Sequence, residues 1–143
     1  MDDFNLEKLA KEIVIERLKG VDDPPAGAGE VARKIVSSAV NGTAAHQAPH
    51  ESVKAVCRGL MSGMLLLEND LPRTAVAILS QMSVVAGETH QDPAELMTWA
   101  MEGIAPIVSL AGGTMRDDVA AAIDSSFMGA GDAFKQVCET AGA

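Results

Sequence analysis

Aromatic side chains are scarce in this sequence: three Phe, one Trp and no Tyr among 143 residues. That scarcity argues against base stacking as a binding mode. Positive charge is also in short supply, with 11 Lys and Arg against 20 Asp and Glu and a net charge of −9. The basic residues form no patch; Lys8, Lys11, Arg17 and Lys19 are interleaved with Glu7, Glu12 and Glu16. A phosphate backbone or an anionic membrane surface needs such a patch, so neither nucleic acid nor a membrane is an expected partner.

Long hydrophobic runs are missing too. The charge-free stretches Thr74–Gly87 and Gly103–Met115 fall short of the roughly 20 residues that a membrane span requires. They read as buried core helices. The acidic start, MDDFNLEK, has no apolar leader, and the expected location is cytoplasmic. Two cysteines, Cys57 and Cys138, have no CxxC or other spacing signature. Each falls on an apolar helical stripe, as buried free thiols commonly do.

The common catalytic signatures are absent as well. There is no GxGxxG, no phosphate-binding loop, no GxSxG elbow and no ExxH of the di-iron bundles. Cys57 stands beside Arg58, but His50 lies about 10 Å away along a shared helix at about 1.5 Å per residue. That is too far for a base–nucleophile hydrogen bond, so a buried structural thiol is the better reading.

What is present is apolar and helical. Hydrophobic residues make up 48% of the chain, enough for a single core in residues 1–143. Every long segment carries a 3.6-residue period, and none alternates like a strand. Leu6, Leu9, Ala10, Ile13, Val14 and Leu18 mark a first helix over 5–19. The stretch GVDDPPAGAG, residues 20–29, reads as a long Pro/Gly-rich connection and the most mobile element of the chain. Val31, Ala32, Ile35, Val36, Ala39 and Val40 mark a second helix over 30–40.

Pro49 opens a third helix, to about Asn69, with Gly59 and Gly63 on its flank for close approach by a neighbour. A fourth follows Asp70-Leu71-Pro72. It is the least amphipathic and is expected at the centre. Asp92, Pro93 and Glu95 give a strong start to a fifth helix, which Gly112-Gly113 stops. From Thr114 onward one stripe keeps its phase through Gly129 and Gly131, which predicts a single long sixth helix. The segments share no motif at equivalent positions, which disfavours a solenoid. The expected fold is therefore all-α: a single-domain, mainly antiparallel bundle of about six helices.

In an alternating bundle the second–third and fourth–fifth connections share one end. His46, His50 and Glu51 stand on the first, and Glu88, His90 and Asp92 on the second; Cys138 is expected towards the same end. His46, His50, Glu51 and His90 are thus a candidate set for a divalent transition metal such as zinc, nickel or iron. A solvated polar rim is the more economical reading of the same residues. The many methionines, among them Met61, Met64, Met82, Met97, Met101, Met115 and Met128, read chiefly as core filling, and secondarily as the lining of a cavity for an apolar ligand. Trp99 reads as a core anchor. The leading expectation is a non-enzymatic protein acting through protein association, including self-association, with no cofactor.

Overall fold

Local chemistry sets most of the helix starts. In the computed structural model, which describes residues 5–41 and 48–142, α1 spans Leu6–Arg17 and opens where the Asn5 side chain accepts from the Lys8 N–H at 3.0 Å. α2 spans Pro24–Asn41. Its first residues are prolines, which need no donor at a helix start, and Asp23 accepts from the Ala26 N–H at 3.3 Å. The connection expected over 20–29 is therefore shorter, because Pro24–Gly29 already belongs to α2.

α3 spans Pro49–Leu66. It ends sooner than the apolar stripe suggests, because Glu68 turns left-handed (φ 55°) and the Asn69 N–H returns to the Met64 carbonyl at 2.9 Å. This is the Schellman arrangement with Glu in place of Gly. α4 spans Leu71–Thr89, capped by Asp70, whose side chain accepts from the Arg73 N–H at 3.0 Å. α5 spans Pro93–Ala111, started by Asp92 on the Ala94 N–H at 2.9 Å and stopped by Gly112 and Gly113, both at positive φ.

The expected sixth helix is two helices. α6 spans Met115–Ser126 and α7 spans Ala130–Gly142. The break falls at Phe127-Met128-Gly129, where Phe127 becomes extended and Gly129 takes φ 88°. Asp124 Oδ1 secures it by accepting from the N–H groups of Gly129 and Gly131 at 3.0 and 3.1 Å. An apolar stripe keeps phase whether the chain continues or folds back, so periodicity alone cannot register this break. Among the described residues the chain is thus all-helical, with seven helices and no strand.

The helices form two layers. α1, α3, α5 and α7 make one, and α2, α4 and α6 the other, with packing heaviest in the alternate pairs α1–α3, α2–α4 and α3–α5, and the consecutive pair α6–α7 next. Alternate helices run parallel in the pairs that residue contacts define. Glu7 pairs with Arg58 and Val14 meets Gly63 across α1 and α3. Asp23 pairs with Arg73, and Asn41 bonds to Glu88, at the two ends of α2 and α4. Lys54 and Cys57 meet Gly103 across α3 and α5. α6 and α7 are antiparallel, with Lys135 near Asp117 and Gly131 against Ala120. A mainly antiparallel bundle is therefore only part of the architecture. The parallel layering resembles the packing of solenoid repeats, although no sequence repeat accompanies it.

The glycines make this layering fit. A Cβ on Gly59 would overlap the Glu7 carbonyl of α1, and one on Gly103 would overlap the Lys54 carbonyl of α3. The close approach expected at Gly59 and Gly63 is the α1–α3 seam. α3, α4 and α5 share the centre, rather than α4 alone, and Ser80, Ser83 and Val84 of α4 face solvent. The outer faces of α1 (Lys8, Glu12, Glu16) and α7 (Asp132, Gln136, Glu139) are polar and exposed, and finish the layer at both ends.

Gly59→Ala and Gly103→Ala are expected to lower stability by at least about 2 kcal/mol, since the added methyl meets backbone that cannot step aside. Gly87→Ala, on an open face of α4 with nothing within 4 Å, is expected to raise it by roughly 0.5–1 kcal/mol. Urea unfolding of the three variants, with unchanged m-values, tests both signs.

Candidate functional site

The end expected to gather the histidines is formed by neighbouring helix termini. The Asn41 side chain, at the end of α2, donates to the Glu88 carbonyl near the end of α4 at 3.3 Å. The α2–α3 and α4–α5 connections therefore leave from adjacent points. His46 lies outside the described residues. His50, in the first turn of α3, turns towards α5: its Nε2 lies 2.5 Å from Glu102 Oε1, and its ring stacks on Trp99 with centroids 5.2 Å apart and planes 21° from parallel. Glu51, one position further on, is exposed.

His90 has a backbone role. It ends α4 in the left-handed conformation (φ 58°), letting the Gln91 N–H reach the Ala86 carbonyl at 3.2 Å, and it is exposed. Histidine is among the few non-glycine residue types enriched in that conformation. Glu88 also has other work. Its carboxylate accepts from Arg33 at 2.8 Å and from the Ser37 hydroxyl at 2.7 Å. Asp92 is occupied as the α5 cap. Among the described residues, no three of His, Cys, Asp and Glu come close enough to hold a metal ion.

Cys138 is not at this end. Because the chain reverses at 127–129, α7 runs back along α6 and carries Cys138 towards Arg116, at the start of α6. Both cysteines are free. Cys57 is fully buried in the core, and desolvation pushes its thiol up to about 12. A thiol so far from ionising is a poor nucleophile, in keeping with its structural reading.

Arg33, Lys34, Ser37, Ser38 and Asn41 of α2, with Glu88, line an open groove of about 660 Å³. Its lining is polar and includes no methionine. Met61, Met64 and Met82 are fully buried among aliphatic residues, as expected for core filling, whereas Met128 projects from the α6–α7 turn. Trp99 is half-buried, part anchor and part cover for His50. The pairing of His50 with Glu102 was not legible in the sequence, because it depends on the parallel register of α3 and α5. Its one local signal was Trp99 and Glu102 on adjacent faces of a helix, three residues apart.

Leu66 and Leu110 mark the opposite end. They sit at the C-terminal ends of the parallel neighbours α3 and α5 and are 60% and 73% exposed. Val21, in the α1–α2 connection, is exposed at the same end. No helix among the described residues is long and apolar enough to cross a membrane. No family model matches the chain, and neither a curated protein nor a solved structure matches it.

The buried thiol predicts an alkaline limb of stability. A folded-state value raised from 9.0 to about 12 leaves the stabilisation intact below about pH 9 and removes it as pH rises towards 12, at up to about 1.4 kcal/mol per pH unit. The chain has no Tyr, so phenol ionisation does not obscure the effect. Urea unfolding between these limits is expected to show that slope in the wild type and a shallower one in Cys57→Ala.

Proposed function

We propose that this is a non-enzymatic, cytosolic helical protein that acts through protein association and that it self-associates through the end carrying Leu66 and Leu110. The exposure of these two leucines, on adjacent parallel helices, is the observation that supports the reading most. Each would release about 25 cal/mol for every Å² of apolar surface removed from water. Scattered single leucines are common on surfaces, but two at neighbouring helix ends, with Val21 exposed at the same end of the layer, offer apolar surface for contact.

A second copy is the occupant this reading commits to. With a net charge of −9 and with Asp22, Asp23, Glu68 and Asp70 exposed around this end, two copies repel unless salt screens them, so the apolar side chains carry the contact. An isologous pairing would place each apolar end against its twin. The core supports a passive role for the interior, since both thiols are buried and the large side chains fill the space between layers.

Sedimentation equilibrium across a concentration series tests the proposal. The wild type is expected to approach twice the monomer mass, and the double substitution Leu66→Asp with Leu110→Asp to remain monomeric with unchanged helical circular dichroism. A wild type that stays at monomer mass at every concentration overturns self-association. So does a dimer that the double substitution leaves intact.

A further inference from the structure

We propose that His50, Trp99 and Glu102 form a proton-dependent clasp that fastens the start of α3 to α5. The three side chains come from two helices and meet at one point: the imidazole lies flat against the indole while its Nε2 faces Glu102 Oε1. His50 is the second residue of α3, directly after the α2–α3 connection. Lys54 and Cys57, one and two turns further along α3, lie against Gly103 of α5. The clasp therefore closes the open end of a seam whose middle is already fixed by backbone contact.

Both contacts respond to protonation in the same direction. A neutral imidazole gives Glu102 one hydrogen bond, in one tautomer, and meets Trp99 as an aromatic pair. An imidazolium gives Glu102 an ion pair and meets Trp99 as a cation over a ring face. The side chains of His50 and Glu102 are 39% and 33% exposed, so protons reach them without any opening of the core.

The charged groups nearby leave Glu102 as the acid that answers His50. On α3 itself, Glu51 is exposed and Lys54 is half-buried. From α1, Glu7 is engaged by Arg58, further along α3. From α2 and α4, Arg33 and Glu88 pair with each other. Among the described residues, Glu102 is the one acid within ion-pair distance of His50. The clasp therefore tightens when the imidazole gains a proton and relaxes when it loses one.

Trp99 is the single tryptophan, and an imidazolium touching an indole quenches its emission more strongly than a neutral ring does. The test is a pH titration of Trp99 fluorescence in the full chain, with amide hydrogen exchange of the first turn of α3 measured at both ends of the range. Emission is expected to rise in one step as pH increases, and exchange at residues 50–54, corrected for its intrinsic pH dependence, to become faster. His50→Gln is expected to lose the step. Glu102→Gln is expected to keep the step and to lose most of the pH-dependent difference in exchange. Flat emission in the wild type, or a step that survives in His50→Gln, overturns the proposal. Wild-type exchange that, after the same correction, does not change with pH also overturns it. Because the wild type alone supplies two of these readouts, poor folding of a variant does not shield the idea.

Discussion

Two helix backbones can touch only where no side chain stands between them, and this structure depends on places where that condition is met. Gly59 lets α1 settle onto α3, and Gly103 lets α3 settle onto α5. Ala10 of α1 lies against Gly59 in the first of these seams, and Ala32, Ala75 and Ala100 are also buried where helices pack. With so little space between helices there is little room for rings, which agrees with a chain that carries only three Phe and one Trp. Methionine and the aliphatic residues fill what remains between the layers. Phe134 of α7 is the largest of the fully buried side chains.

The seams also decide direction. Because α1, α3 and α5 pack in parallel, and α2 with α4, the starts of neighbours in a layer fall at one end and their finishes at the other. The two ends consequently differ in chemistry. One carries ionic links between elements, His50 with Glu102 and Arg33 with Glu88. The other carries Leu66, Leu110 and Val21 in solvent, together with the Asp23–Arg73 pair. The proposed association surface and the proposed clasp therefore lie at opposite ends of the central helix α3.

Two residues singled out by their position in the chain, His90 and Asp92, have backbone roles. Both sit where a metal site was conceivable, yet one supplies a left-handed helix end and the other a helix cap. Such residues are favoured at helix termini for reasons of backbone geometry. A cluster of them near connections is therefore weak evidence for chemistry. His50 differs because it has a specific partner on another helix, and that partner is what gives it a role to test.

The sequence by itself determined the all-helical class, the burial of the main apolar stripes, the boundary at Asp70-Leu71-Pro72, the cap at Asp92 and the stop at Gly112-Gly113. These features rest on hydrogen bonds and periodicities that span only a few residues, so they are written locally. It could not determine that α6 and α7 separate, since a stripe keeps phase through a reversal. Nor could it determine that Pro24–Gly29 joins α2 or that His50 meets Glu102. Only the tertiary structure decided these, because each depends on which backbone lies against which, and small residues fix that choice across tens of positions in the chain.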